Sequence, residues 1–205
     1  MASFSEAGRA DNPDALIPGK RRRARVALVM LPAAAFLLVA LITDSPSPGP
    51  GEPPGRPYRA ALAFRDHVVP FQQFGTRLFT LPQLAAHYAE VRYFTDRGGE
   101  PVRERIVSAM MALLGRYREV DLFLLTHGTP YCVWFAALPR RLRGRLRLVY
   151  NTGCGGTREW PLWRALGARA YVAHPGALSL SPFFYFYFLR RWNGGLPLWR
   201  AVPEA

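Results

Sequence analysis

Lysine is almost missing from this 205-residue chain: Lys20 stands alone, and the other 26 of the 27 basic residues are arginine. Against 14 Asp and Glu they give a net charge of +13. Such a charge first suggests nucleic acid. A basic set made of arginine, beside abundant Ala, Gly and Pro, looks instead like the residue bias of a GC-rich gene, so no nucleic-acid partner is expected. Cysteine is scarce as well. Cys132 and Cys154 are the only two, which excludes a disulfide-built scaffold. No internal repeat is visible. Apolar residues are plentiful, 50% hydrophobic and 13% aromatic, so disorder is excluded as the dominant state. The length suits one compact domain with short extras.

Charge disappears altogether from residues 26–43 (VALVMLPAAAFLLVALIT). Eighteen residues at about 1.5 Å each span roughly 27 Å, close to the hydrocarbon thickness of a bilayer. A soluble buried helix would need a polar face, and this run has none. It is too long for a cleaved signal, and neither Leu38-Val39-Ala40 nor Ala40-Leu41-Ile42 makes a good small-x-small site. The run therefore reads as an uncleaved transmembrane signal anchor. Six Lys or Arg lie within residues 1–25 and three (Arg56, Arg59, Arg65) in the first twenty or so residues after the run. The positive-inside rule then puts the N-terminus in the cytoplasm and the rest outside, periplasmic or extracellular. Residues 44–57, with six Pro and three Gly, form an extended, semi-stiff linker.

Residues 58–205 alternate short apolar runs with helical patterns. Strands are expected at 58–64, 91–94, 121–125, 146–150 and 170–173. Helices are expected at 80–90 (capped by Thr80, with Pro82 in its first turn), 101–118, 131–142, 158–166, 181–192 and 197–203. In the second of these, Val102, Ile106, Met110, Leu113 and Leu114 share one face. Fully apolar strands separated by helices imply an α/β fold, a mainly parallel sheet with helices on both faces. The aromatic run at 183–188 reads as a core-packing helix, with contact to a bilayer surface as the sharper alternative. The arginines of 140–147 read as a solvated helix end, or as a patch for anionic headgroups.

In such a sheet, chemistry gathers beyond the carboxyl ends of the strands. His67, His127 and His174 fall there, and so does Cys154. A lone histidine or cysteine at such a place is most often structural. His127 and Cys154, however, are both flanked by glycine, in Thr126-His127-Gly128 and Gly153-Cys154-Gly155-Gly156. A cysteine nucleophile needs a base for its proton and donors for the oxyanion it creates. An imidazole beside the sulfur supplies the first. Backbone N–H groups brought close by glycine supply the second.

An apolar strand ending in His-Gly, a helix, and an apolar strand ending in a small residue and Cys resemble the caspase-like cysteine peptidases, closest in pattern to the bacterial CHAT-type domains. Phe94-Thr95-Asp96 before Gly98-Gly99 is similar to the segment ahead of their histidine strand. Residues 167–172 and 194–202 are similar to their later strand and terminal helix, so the likeness covers roughly residues 58–205. Thr126 stands where many members have Gly, and the 27-residue interval from His127 to Cys154 is short for the family. The resemblance implies a peptide or protein substrate and no cofactor. Cys154 would be the nucleophile and His127 the general acid/base. Gly128, Gly153 and Cys154 would offer oxyanion N–H groups, and Arg65, Asp66 and His174 would be substrate-pocket candidates. Arg65 and Asp66 favour opposite substrates, so acidic and basic targets stay open.

Two other readings compete. His67, His127, His174 and Cys154 make up a tetrahedral zinc set in residue type, without any short-spaced pair. In an oxidising compartment, a Cys132–Cys154 disulfide would leave a catalytically inactive, membrane-tethered binding module.

Overall fold

Five short strands carry the structure: β1 (Arg59–Arg65), β2 (Glu90–Thr95), β3 (Glu119–Leu125), β4 (Leu146–Asn151) and β5 (Ala170–Ala173). The computed structural model describes residues 56–67, 70–96, 102–127, 130–176 and 181–202. The apolar run at 26–43 and nearly all of the linker lie outside these residues. No helix among the described residues is long and apolar enough to cross a membrane.

The sheet is parallel throughout, in the order β2-β1-β3-β4-β5. Helices cover both faces, as continuous apolar strands require. On one face lie α2 (Val102–Arg116), a 3-10 turn (Tyr131–Phe135), α3 (Arg140–Arg143) and α4 (Trp160–Ala165), packed on Leu62, Phe64, Leu122, Leu124 and Val149. On the other lie α1 (Pro70–His87), α5 (Ser181–Asn193) and α6 (Leu198–Ala201), packed on Ala61, Ala63, Phe123, Leu148 and Tyr150. The apolar face of α2 is the expected one: Val102, Ile106, Met110, Leu113 and Leu114 are its buried residues. Truncating one such side chain, Met110 for instance, removes about 2–5 kcal/mol.

Strand order fixes where a site can form. From β1 the chain moves to one edge to make β2, returns past β1 to make β3, and then builds outward to β5. The connections on either side of the β1/β3 boundary therefore diverge, and it is beyond the carboxyl ends at such a switch point that open α/β sheets bind their ligands.

Several elements differ from the sequence expectation. The helix expected at 80–90 starts at Pro70, so Pro82 lies in its interior and Thr80 is no cap; the Thr80 hydroxyl is buried without a partner. Pro70, with its fixed φ and missing N–H, suits the first helical position better. The single helix expected at 131–142 is a 3-10 turn and the four-residue α3, divided by Leu138-Pro139, because the residue before proline is pushed out of the helical region. The helix expected at 158–166 is a 3-10 turn (Gly156–Glu159) running directly into α4, with Pro161 in the first turn of α4, where proline is tolerated. Of the arginines of 140–147, Arg140 and Arg141 are exposed at the helix end, as expected, whereas the other three are engaged by the protein. Arg143 Nε donates to Leu138 O at 3.0 Å, Arg145 Nη1 donates to Leu114 O at 2.9 Å, and Arg147 binds Asp121. Asp121, expected within a wholly apolar strand, is fully buried. Its carboxylate accepts from Arg147, from Tyr88 Oη at 2.5 Å and from Trp192 Nε1 at 2.9 Å, which satisfies a charge that would otherwise not tolerate burial.

Candidate functional site

The register of β3 and β4 aligns the two glycine-flanked residues. Leu124 and Asn151 are Cα partners; His127 and Cys154 each lie three residues further on, at neighbouring strand tips. Both side chains are exposed. The tips touch: a Cβ built on Gly153 would sit 3.1 Å from the His127 carbonyl oxygen and 3.3 Å from Thr126 Oγ1. A Cβ at 153 would require these neighbours to give by a few tenths of an ångström.

Asn151 knits the tips together. Its Oδ1 accepts from the Gly153 N–H at 2.9 Å and from Thr126 Oγ1 at 3.3 Å, while its Nδ2 donates to Tyr171 Oη at 3.2 Å. Tyr171 Oη in turn donates to the Gly156 carbonyl at 2.6 Å. Thr152 adds a second stitch, its Oγ1 bonding Leu124 O at 3.1 Å and the Thr126 N–H at 3.3 Å. Gly155 adopts φ +66 immediately after Cys154, a left-handed conformation that glycine takes without strain. The Gly155 N–H reaches Gly176 O and the Gly156 N–H reaches Gly153 O.

These bonds correct one expectation. The Gly153 N–H is buried and committed to Asn151, so it is not an oxyanion donor. Glycine at 153 and 156 lets the turn approach its own strand-end amide, Asn151, rather than a substrate. Gly128 lies outside the described residues.

Beneath the turn, Cys132 and Asn151 both reach the Glu159 carboxyl, to which Trp163 Nε1 donates at 3.0 Å. Burial pushes Glu159 above the usual carboxylate range despite these bonds. Burial, together with the neighbouring Glu159, pushes the Cys132 thiol up to about 11. Cys132 is part of the core while Cys154 faces solvent, and no disulfide joins them. That removes the physical basis of the disulfide-closed binding module. Among the described residues no group of three His, Cys, Asp or Glu could hold a metal ion, so His67, His127, His174 and Cys154 do not assemble a zinc site.

The pocket candidates separate. Asp66, just past β1, is buried on the Tyr131 side; its Oδ2 accepts from the His127 N–H at 2.6 Å and from Tyr131 Oη at 2.9 Å. It anchors the histidine loop. Arg65 ends β1 on the opposite face. His174 follows β5, its ring 6.1 Å from that of Tyr150, and burial lowers its pKa below the ordinary imidazole value. His67 is exposed.

Sequence reasoning missed Asn151, Thr126 and Tyr171 as organisers of the turn. The available signal was a polar Asn-Thr pair closing an otherwise apolar strand, where a buried amide needs partners.

The fold and these tips define a doubly wound α/β protein with polar chemistry gathered at the carboxyl end of its parallel sheet. Compared with known protein families, curated proteins and solved structures, the chain matches none of them.

Proposed function

We propose that the chain is a caspase-like cysteine peptidase, held in a membrane by residues 26–43 with residues 58–205 outside the cytoplasm. One observation carries the reading: a cysteine and a histidine, both exposed, each lie three residues past the paired positions Leu124 and Asn151 of adjacent parallel strands, in loops fastened to each other by Asn151 and Thr152.

In this mechanism the Cys154 sulfur attacks the scissile carbonyl and its proton passes to His127. The tetrahedral oxyanion is held by backbone N–H groups, a role that falls to Gly128 and Cys154 because Gly153 is engaged. His127 then gives its proton to the departing amine, the C–N bond breaks, and a thioester remains on Cys154. Water hydrolyses the thioester, restoring the thiol and releasing the acid. Asp66 fixes the backbone from which His127 projects.

Replacing Cys154 with Ala and assaying self-cleavage and peptide turnover tests the proposal. Cleavage is expected to disappear in the variant. Cleavage at the wild-type rate would end the reading.

A further inference from the structure

We infer that the amino end of the sheet, opposite the Cys154–His127 tips, is a docking face for an anionic lipid bilayer, with Tyr58 and Arg118 at its centre. This rests on the reading of residues 26–43 as a membrane anchor.

Each of the five strands begins beside an arginine. Arg59 opens β1, Arg92 is the third residue of β2, and Arg118, Arg145 and Arg169 immediately precede β3, β4 and β5. Because the strands are parallel, all of them lie at one end of the sheet, where Arg116 in the last turn of α2 joins them. Two carboxylates answer this set among the described residues. Glu119 is shared by Arg59 and Arg169, and Glu90 by Arg92 and Arg116; the nearby Arg147 is matched by buried Asp121. Arg145 donates to the Leu114 and Gly115 carbonyls, which orders its guanidinium without cancelling its charge. Arg118 is exposed, with its guanidinium 5.3 Å from the centre of the Tyr58 ring and no carboxylate partner among the described residues. Positive charge is therefore in surplus over this end of the domain.

Two open hollows meet at its centre. One, of about 450 Å³, reaches Arg116, and the other, of about 330 Å³, reaches Arg59 and Arg169; Tyr58 and Arg118 line both. A lipid phosphate entering either meets Arg118 and at least one further arginine. Glu119 also lines the second hollow, its charge already taken by Arg59 and Arg169. Tyr58 is 55% exposed, and an amphipathic ring beside arginine suits the headgroup layer.

The course of the chain selects a bilayer over other anionic partners. Tyr58 directly follows the linker read at 44–57, so this is the end of the sheet tied to the anchor. A Pro-rich chain of that length spans at most about 43 Å, which keeps the face at high effective concentration near the headgroups. Each arginine brought to an anionic surface then strengthens the contact by roughly fivefold. Docked in this way, the domain holds its tips off the bilayer by about the length of β3, seven residues at about 3.3 Å each. The substrates it suits are peptide segments standing clear of the membrane.

The test places the full chain in lipid nanodiscs and follows arginine modification by phenylglyoxal, read by peptide mass. Discs of phosphatidylcholine are compared with discs carrying about one-third phosphatidylglycerol. Arg158, exposed on the turn after Cys154, is the reference at the far end. Arg118 is expected to react roughly tenfold more slowly in the anionic discs while Arg158 is unchanged, and to recover its rate in about 0.5 M NaCl. In Arg118→Glu the protection of Arg116 should fall by about threefold or more. Equal rates for Arg118 in the two discs, or full protection of Arg116 in Arg118→Glu, would overturn the docking face. Single-stranded RNA that protects Arg118 in phosphatidylcholine discs as fully as the anionic lipid does would overturn it too, by making the face a nucleic-acid surface. If the chain does not stay in phosphatidylcholine discs, the anchor reading fails. The face is then judged by adding phosphatidylglycerol vesicles to the free chain, and an Arg118 that reacts equally fast with and without them overturns it.

Discussion

The backbone of His127 hangs from the side chain of Asp66, whose Oδ2 accepts the His127 N–H at 2.6 Å. The same oxygen takes the Tyr131 hydroxyl at 2.9 Å, so one carboxylate sets both the start of the histidine loop and the 3-10 turn after it. Asp66→Ala removes the acceptor of one part-buried and one buried hydrogen bond and is expected to lower stability by about 1–3 kcal/mol. Asp66→Asn keeps an acceptor oxygen and should lose less. Urea unfolding of both variants measures the difference. If Asp66 acts through His127, turnover by Asp66→Asn should fall in kcat more than it rises in KM.

The thiols should differ sharply. Cys132 is buried, and its pKa near 11 keeps it protonated at pH 8, while reaction with an alkylating agent needs the thiolate. Cys154 is exposed. Iodoacetamide at pH 8 is therefore expected to modify one cysteine in the folded chain, Cys154, and both in denaturant. Peptide mapping reads the result; fast labelling of Cys132 in the native state would contradict its placement.

The sheet was legible because each strand is a short apolar run with its own punctuation, and β5 is found where expected, at Ala170–Ala173. The face of α2 was legible from its 3.6-residue period. What period and propensity left hidden are interactions between distant segments. Nothing local to Asp121 announces that Tyr88, Arg147 and Trp192 converge on it. Nothing local to Asn151 shows that its amide would hold Thr126, Gly153 and Tyr171. The glycines beside Cys154 were visible, but a sequence does not say what a missing side chain makes room for. At 153 the space is filled by the chain's own carbonyl and amide oxygens.

Two glycines far from these tips should respond in opposite ways. Gly167 has φ +93, and a Cβ there would lie 2.5 Å from the Arg143 carbonyl oxygen. Strain and a clash with backbone act together, and Gly167→Ala is expected to destabilise by more than about 1–2 kcal/mol. Gly115 lies near the end of α2, and a Cβ there would meet nothing within 4 Å. Gly115→Ala should stabilise by about 0.5–1 kcal/mol, because alanine restricts the unfolded chain and favours helix. Chemical unfolding of the pair compares them directly.

Acid should loosen the other end of the sheet through Glu119. This carboxylate accepts from Arg59 Nε at 2.8 Å and Arg169 Nη2 at 2.6 Å, with Arg147 Nη1 at 3.7 Å, so it ties β1, β4 and the approach to β5 onto β3. Burial alone would raise its pKa; the bonds from Arg169 and Arg59 and the nearby positive charges outweigh that and hold it below the ordinary value of 4.5. A carboxyl depressed in the folded state gives stability that is fully present above the unfolded value and lost as pH falls through the folded one. Glu119→Gln is therefore expected to be less stable than the wild type at pH 7, by about 1 kcal/mol for a partly exposed network. The gap should close as pH drops below roughly 4.5. High salt should narrow it at pH 7 as well. Melting temperatures of the two proteins, taken at intervals between neutral and acid pH, give the curve, and a gap that stayed constant into acid would show that Glu119 contributes by packing instead of charge.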